Sequence, residues 1–225
     1  PELVFDGAGA LIDTREEQRT ENTDQFGLSG SFTRVADNGN VLNLTGEVNG
    51  FIRREDETSE RSGSINSIDR VRDFRSGEDE FNFEVGADYQ FALGPGRLKV
   101  IGYHRYEDSP TFSTSVTSFS DGSDPSGSRF TRDADEGETI ARAEYSFPAL
   151  GGDLLIAGEG VRNFLDINSA LDVLDAGDFV PVDFDGATAR VDEDRAELQA
   201  TYSRPLASNL QFQLSVAGEY SRISQ

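Results

Sequence analysis

The segment AEYSFPALGGDLLIAGEG, residues 143–160, alternates polar and apolar residues, is interrupted by a glycine pair, and then alternates again. Successive side chains of a β-strand point to opposite faces, so this pattern predicts two strands joined by a tight turn. Related segments begin at Ala87 (ADYQFALGPG) and Ala200 (ATYSRPLASN), and a weaker one begins at Gly30 (GSFTRVADNG). Their spacings of 57, 56 and 57 residues indicate a repeated unit that consists of one hairpin and its connection.

The same alternation recurs along most of the chain. From Phe81 to Leu93 the odd positions are apolar or aromatic, and the even positions are mostly polar. The segments Leu42–Ile52 and Leu210–Tyr220 have the same two-faced pattern. We therefore predict strands near 24–36, 41–54, 79–93, 97–107, 138–147, 153–165, 194–204 and 209–223, with a less regular one near 3–13.

The connections between these strands alternate between short and long. Asn38-Gly39 favours a two-residue hairpin because both residue types accept a positive φ, and the other short connections lie near 94–96, 149–152 and 205–209. Between the hairpins lie segments rich in Ser, Asp, Gly and Arg. We predict long outer loops near 55–78, 108–137 and 166–193, which would meet any ligand.

Composition excludes several classes of protein. The net charge of −22, with 42 acidic and 20 basic residues, argues against binding to nucleic acid, whose phosphates need a basic surface. The chain contains no cysteine, so disulfides and thiolate metal sites are excluded. No apolar run approaches the roughly 18 residues of a membrane helix. A membrane β-strand needs only about ten residues of alternating hydrophobicity and remains compatible with the sequence.

Aromatic residues and charges divide between the two predicted faces. Aromatic side chains on the apolar face, next to the short turns, predict an interfacial girdle with rings in lipid and hydroxyls among headgroups: Phe32, Tyr89, Phe91, Tyr145, Phe147 and Tyr202. Charged side chains on the other face predict a polar lumen: Glu47, Glu84, Asp88, Arg142, Glu144, Glu159 and Glu219. The pattern favours an all-β, antiparallel, up-and-down transmembrane β-barrel. A soluble β-sandwich with one polar face stays open as the alternative.

A resemblance to a known family supports the barrel. The segments VLNLTGEVNGFIRRED (41–56) and LQFQLSVAGEYSRISQ (210–225), with the AxYx(F/R) motif before tight turns, resemble the barrel of TonB-dependent outer-membrane receptors. The resemblance implies a barrel of about 22 strands with a plug, which imports scarce nutrients such as siderophore-bound iron. It also implies a lipid bilayer, a small-molecule ligand, a plug domain and TonB as partners.

The predicted number of strands bears on whether residues 1–225 form a whole barrel. About nine strands are predicted, whereas bacterial single-chain barrels close with an even number. Neither a plug-like segment nor a TonB-box-like segment occurs in residues 1–225. We therefore expect residues 1–225 to form one β-barrel domain or a part of a larger barrel.

Candidate chemical sites are few, and we expect neither a catalytic site nor a cofactor or metal site. His104, the single histidine, has Asp108 and Ser109 close in sequence, but nothing in the spacing defines a nucleophile–base pair, so a rim histidine is favoured. The acidic segments 121–127, 133–138 and 183–186 offer oxygen ligands to Ca²⁺, yet they lack EF-hand spacing and are expected to be solvated. Clustered carboxylates would favour cationic ligands at a pore mouth.

The arginines near the strand ends are the remaining charged group. Those on the polar face are expected to pair with carboxylates such as Glu47, Glu144 and Glu159, whereas Arg54 and Arg162 have apolar-face parity and are expected above the hydrocarbon. The arginines considered are Arg53, Arg54, Arg105, Arg142 and Arg162.

Three functional hypotheses follow from these patterns. The first is a receptor or transporter in the bacterial outer membrane that takes up a small solute. The second is a soluble or surface-exposed acidic β-rich binding or adhesion module. The third and least favoured is an outer-membrane hydrolase built around His104.

Overall fold

A computed structural model describes residues 1–63 and 68–225 of the chain. All of the regular structure within these residues is β, in one antiparallel sheet, which confirms the predicted all-β antiparallel fold. The strands are β1 (Glu2–Phe5), β2 (Leu11–Val35), β3 (Val41–Gly63), β4 (Arg70–Leu93), β5 (Gly96–Asp108), β6 (Thr111–Phe119), β7 (Ser126–Ala149), β8 (Gly152–Asp175), β9 (Asp178–Val182), β10 (Thr188–Ala207) and β11 (Leu210–Ser224). None of the described residues forms a helix long and apolar enough to span a bilayer.

The sheet is an up-and-down meander in which neighbours in sequence are neighbours in space. Its order is β1-β2-β3-β4-β5-β7-β8-β10-β11, with β6 between β4 and β7 and with β9 beside β8. The path of paired strands does not join β11 back to β1 or β2 within the described ranges. The predicted barrel closure is therefore not observed, and the transmembrane barrel stays a prediction.

Strands β5 and β6 lie end to end and behave as one strand. Asp108, at the end of β5, pairs with Phe81 of β4, and Thr111, at the start of β6, pairs with Glu78 of β4. Three residues separate these two pairs both along β5–β6 and along β4. The pairing of β5 and β6 with β7 has the same spacing. Pro110 lies between the two and has no N–H to donate to the ladder. The ring β4-β5-β7-β6 therefore reflects an interruption at Pro110, not a small closed barrel.

The long loops predicted near 55–78, 108–137 and 166–193 are largely strand, so these predictions were wrong as to structure. The six longest strands each contain 20 to 25 residues, because they continue well past the alternating segments. Complementary charges pair across the strands there, as in Arg19 Nε to Glu55 Oε1 at 2.8 Å. On β2 and β3 the added segments are polar on both faces and leave no period-2 signal, which explains the error there. Residues 64–67 of the first predicted loop lie outside the described residues.

The strand predicted near 3–13 is also corrected. It divides into β1 and the start of β2, which are joined by a turn at residues 6–10. The Asp6 carboxylate accepts hydrogen bonds from the N–H groups of Ala8 (2.9 Å) and Ala10 (2.8 Å), and Gly9 has a φ of +84°. An Asx turn of this kind reverses the chain without interrupting the polar–apolar alternation seen in the sequence.

The sheet forms a single layer. Its exposed area is 14701 Å², whereas a compact protein of 24.6 kDa exposes about 10,000 Å². Only three apolar residues of the described ranges are buried, namely Ala134, Ala157 and Val161. Residues 1–63 and 68–225 therefore do not build a hydrophobic core from their own larger side chains.

Candidate functional site

The candidate site is the lower half of the sheet, defined here as the part between the short turns and the level of Ile52. Register places Leu44 opposite Ala87, and Val48 opposite Phe83, so that apolar side chains of neighbouring strands share one face. This apolar face is open: Leu44 is 42% exposed and Val85, on β4, is 48% exposed.

The height of the apolar band can be derived from strand geometry. Ten residue steps separate Leu42 from Ile52, which gives ~33 Å along the strand at a rise of ~3.3 Å per residue. At a strand tilt of ~40° the vertical height is ~25 Å, which is the height of the apolar band of outer-membrane barrels.

The six residues predicted to form a girdle lie on the apolar face, beside the short turns. Tyr89 and Phe91 stack with their ring centroids 5.3 Å apart, and Tyr145 and Phe147 stack at 4.9 Å. Tyr202 lies opposite Leu154 and contacts the next strand through Phe212 at 6.5 Å, while Phe32 lies opposite Leu44. The structure brings these residues to one face of the sheet near the short turns, and their role in a membrane stays a prediction.

The tyrosine hydroxyls have a role that the sequence did not reveal. Tyr145 donates to the carbonyl oxygen of Leu93 (2.8 Å), and Tyr202 donates to that of Leu150 (2.9 Å). In both cases donor and acceptor are 52 residues apart, so the tyrosine of one hairpin caps the turn of the preceding hairpin. Leu150 has a φ of +52°, which is unusual for a residue with a side chain. At these two hairpins the repeated tyrosine therefore contacts the preceding turn.

The opposite face of the lower half is polar and carries ion pairs. Arg142 Nε lies 2.7 Å from Glu144 Oε1, and its Nη1 lies 3.2 Å from Glu159 Oε2. Arg195 Nη2 lies 3.5 Å from Glu159 Oε1 and extends the group onto β10. Three of the residues predicted for the lumen network are therefore brought together, and Arg195 joins them.

The other predicted lumen residues form separate groups on the same face. Asp88 accepts a hydrogen bond from Asn43 Nδ2 (3.0 Å) and lies 3.6 Å from Lys99 Nζ. Glu47 and Glu84 lie directly opposite each other on β3 and β4. Glu219 lies on β11, opposite Glu197, away from the Arg142 group.

A shallow depression of about 370 Å³ opens on the polar face around Glu47 and Glu84. Asn49 Nδ2 donates to Glu47 at 2.7 Å, and Arg105 Nε is 3.9 Å from Glu84. Small side chains from β2 and β3 (Ser29, Ser31, Thr45), glycines and Tyr103 of β5 also line it. The depression is a polar surface with unbalanced negative charge, suited to water and to cationic groups.

His104 lies on the apolar face. Its Nδ1 is 2.9 Å from the Thr139 hydroxyl, and its ring centroid is 5.7 Å from that of Phe83. Ser109 Oγ instead donates to the carbonyl oxygen of Ala134 (3.5 Å). The structure thus gives His104 and Ser109 different partners and does not assemble the nucleophile–base pair that the hydrolase hypothesis requires.

The acidic segments do not form an evident metal site. Among residues 1–63 and 68–225, no three His, Cys, Asp or Glu side chains are placed to share a metal ion. Asp121 belongs to the turn between β6 and β7, where its carboxylate accepts the N–H of Ser123 (2.9 Å). Hydrogen bonds from the hydroxyl and the N–H of Ser123 lower the pKa of Asp121.

Of the five arginines considered from the sequence, the two with apolar-face parity, Arg54 and Arg162, are both ion-paired. Arg54 Nη1 lies 2.7 Å from Asp79 Oδ1, and its guanidinium lies over the ring of Phe112 at 5.6 Å. Arg162 Nη2 lies 3.8 Å from Asp192 Oδ1. On β3 and β4 the first charged side chains of the apolar face, Arg54 and Asp79, therefore lie at the upper limit of the band. On β8 the first such side chain, Arg162, lies below that limit.

The fold and the two faces define a class of structure: a single-layer, antiparallel, two-faced β-sheet. No family model and no curated protein sequence matches the chain. Among solved structures, one likeness is to P. aeruginosa FpvA bound to heterologous pyoverdines in a complex with iron. The identity is 9% and the TM-score 0.39, over 96% of this chain and 38% of that chain. At these values the likeness carries no argument about fold or function, and the chain spans well under half of that protein.

Proposed function

We propose that this chain forms wall strands of an outer-membrane β-barrel receptor or transporter that takes up a small solute. The observation that carries the proposal is the lower half of the sheet, where one face is apolar and the other is charged over a height of ~25 Å. The sheet is one layer thick, so both faces are exposed and each needs its own solvent. Lipid on the apolar face and water on the polar face satisfy this requirement.

Water on both faces would be costly. Monomeric soluble proteins rarely expose contiguous apolar patches of more than a few hundred Å². The apolar face continues across most of the strands, and at its sides Leu28 is 72% exposed, Leu198 65% and Val216 66%. The hydrophobic effect disfavours such exposure by roughly 25 cal/mol per Å², so some apolar medium must cover the face.

The polar face suits the wall of a water-filled passage. It carries charged groups that are satisfied by ion pairs, as in the Arg142 group, and an open depression beside Glu47 and Glu84. TonB coupling, a plug domain and a siderophore-like or nutrient-like solute belong to the proposal through the sequence resemblance alone. The bacterial outer membrane is the location that this function requires.

A second candidate is a soluble or surface-exposed acidic β-rich binding or adhesion module. The observation that favours it is the upper half of the sheet, the part beyond the level of Ile52, where the ends of β2 and β3 are polar on both faces and project beyond the band. In that case a second protein layer, in place of lipid, would cover the apolar face.

Extraction of the full-length native protein distinguishes the two. Cells are fractionated, the membrane fraction is extracted with and without detergent, and the protein is run on a gel with and without boiling. We expect the protein in the membrane fraction, released by detergent, with migration that shifts on boiling. Recovery from the soluble fraction without detergent would overturn the membrane proposal in favour of the binding module.

A further inference from the structure

The upper end of the polar face carries a row of three arginines on three adjacent strands. Arg61 of β3 lies directly opposite Arg15 of β2 on one side and Arg70 of β4 on the other. Directly opposed residues of an antiparallel pair share one face with their Cβ atoms about 5 Å apart, and like charges in such positions are destabilising. In a chain with a net charge of −22, an alignment of three cations needs a compensating anion.

The two outer arginines have such an anion within the chain. Arg70 Nη2 lies 2.7 Å from Asp13 Oδ2, and Arg15 Nε lies 3.3 Å from the same oxygen. Gly63, which is opposite Asp13 on β3, has no side chain to separate Asp13 from Arg70. Asp13 is only 5% exposed, so its carboxylate is buried, and it is already paired with these two arginines.

The central arginine has no such partner. In the described part of the chain Arg61 forms no ion pair, and its hydrogen bond runs from Nε to Ser59 Oγ at 3.1 Å. Ser59 is fully buried and donates in turn to Glu17 Oε1 (3.1 Å). Nη1 and Nη2 of Arg61 therefore remain as an open fork on a half-buried side chain, the geometry that binds a carboxylate or phosphate with two parallel hydrogen bonds.

One further observation concerns the charge around Arg61. Burial, followed by the charges of Arg72, Arg15 and Arg70, lowers the pKa of the Arg61 guanidinium, and the Glu17 carboxylate opposes this shift only in part. A phosphate group offers two oxygens to the fork of Arg61 and negative charge to the flanking arginines.

We propose that Arg61, flanked by Arg15 and Arg70, is a binding site for the phosphate group of a ligand. Two oxygens of the phosphate accept hydrogen bonds from the open fork of Arg61, and its charge offsets the repulsion within the arginine row. This site differs from the cationic preference expected from the acidic composition. It does not depend on the proposed function, because the row lies above the apolar band and is the same whether lipid or protein covers that band.

The test is thermal unfolding of the full chain with inorganic phosphate, in detergent if extraction requires it, against sodium chloride at equal ionic strength. Phosphate is expected to raise the Tm of the wild type, because a ligand that binds only the folded state stabilises it. Arg61→Gln is expected to weaken phosphate binding by about tenfold or more, since it removes a bidentate, charge-assisted contact. Arg61→Lys, which keeps the charge but loses the fork, should give an intermediate affinity.

Two controls separate a binding role from a structural one. Arg190→Gln removes an exposed, ion-paired arginine from another part of the upper half and should leave the phosphate response unchanged. Without phosphate, Arg61→Gln should unfold at the wild-type Tm or above it, because it relieves like-charge repulsion. No phosphate response in the wild type, an equal response in Arg61→Gln, or a lowered Tm without phosphate would each overturn the proposal.

A further arm identifies the source of the phosphate. The full chain is tested for association with phosphatidylglycerol vesicles and with phosphatidylcholine vesicles, with and without competing inorganic phosphate. Association that depends on Arg61 and on phosphatidylglycerol would support the site with a lipid headgroup as its ligand. A response to free phosphate alone would support the site with a soluble phosphate-bearing ligand.

Discussion

The lower and upper halves of the sheet share the same strands but differ in side-chain chemistry. On β3, the even positions from Leu42 to Ile52 are apolar or glycine, whereas Arg54, Asp56 and Thr58 continue the same face. The register between β3 and β4 runs through both halves without a shift. The backbone pairing is therefore unaffected by the change in side-chain polarity. We attribute the difference in polarity between the two halves to their different surroundings.

The two halves are also stabilised differently. In the proposed barrel, lipid would remove the apolar face of the lower half from water, which stabilises it by roughly 25 cal/mol per Å². In the upper half cross-strand ion pairs such as Arg75 with Asp56 are exposed, and such pairs contribute about 0–1 kcal/mol each. We therefore expect the upper ends of the strands to open first.

The largest expected effect comes from placing a charge on the apolar face of each half. Leu44→Arg should cost about 1–3 kcal/mol and impair membrane assembly, because the charge lies inside the band, two residues from its turn-side limit. Thr58→Arg, on the same strand and face but in the upper half, should stay within about 0.5 kcal/mol, since Asp73 beside it can pair with the arginine. Unfolding by urea in detergent, with membrane fractionation, measures both.

The neighbouring position provides a second control. Thr45→Arg places the same charge one residue away, on the polar face near Glu47 and Glu84. It should be tolerated far better than Leu44→Arg. Equal losses at positions 44 and 45 would show that the two faces do not have different surroundings and would contradict the membrane proposal.

A smaller effect is expected from the arginines of the two halves. Arg142→Gln leaves Glu144 and Glu159 without their shared cation and should cost about 1–2 kcal/mol, because Arg142 is only 24% exposed. Arg190→Gln in the upper half should have no measurable effect, since that side chain is 62% exposed. Chemical unfolding of the two variants in parallel tests this, and a greater loss for Arg190→Gln would reverse the proposed ranking.

The turn contacts of the lower half should contribute less again. Tyr145→Phe removes the donor to the Leu93 carbonyl and should cost about 0.5–1.5 kcal/mol. Tyr202→Phe should give a similar loss at the next turn. Tyr220→Phe is the matched control, since Tyr220 is 68% exposed, and should match the wild type. A loss in all three variants would indicate that the ring environment, not the turn contact, matters.

The smallest expected effect is a pH dependence at the upper turn. Ser123 lowers the pKa of Asp121 in the folded state, so the associated stability is present above the ordinary Asp pKa of about 3.9. It is lost as the pH falls through the lower folded-state pKa. Titration of the Asp121 carboxyl carbon by NMR should show the lowered pKa, and Ser123→Ala should raise it toward the ordinary value. An unchanged titration in Ser123→Ala would contradict the assigned cause.

The sequence predicted the lower half of the sheet well and the upper half poorly. Alternation from Phe81 to Leu93 identified β4 and assigned its faces, because burial on one side imposes a period of two. In the upper half the ends of β2 and β3 are polar on both faces, so strand and loop have the same composition there. The pairing that distinguishes them, such as Arg19 with Glu55, joins residues far apart in sequence.

The candidate sites divide in the same way. The aromatic rows and the charged face could be assigned from parity alone. The cap of Tyr145 on Leu93 and the row of Arg15, Arg61 and Arg70 could not, because each depends on which residues oppose each other across strands.

The sequence by itself determined that the chain is all-β, where its hairpins turn, and which side chains share a face along each strand. These are local properties, set by side-chain alternation and by residues that accept a positive φ. Only the tertiary structure decided how far the strands extend, that β5 and β6 continue one another, and which arginines and carboxylates meet. Those features depend on the register between strands, which backbone hydrogen bonds establish between residues distant in sequence.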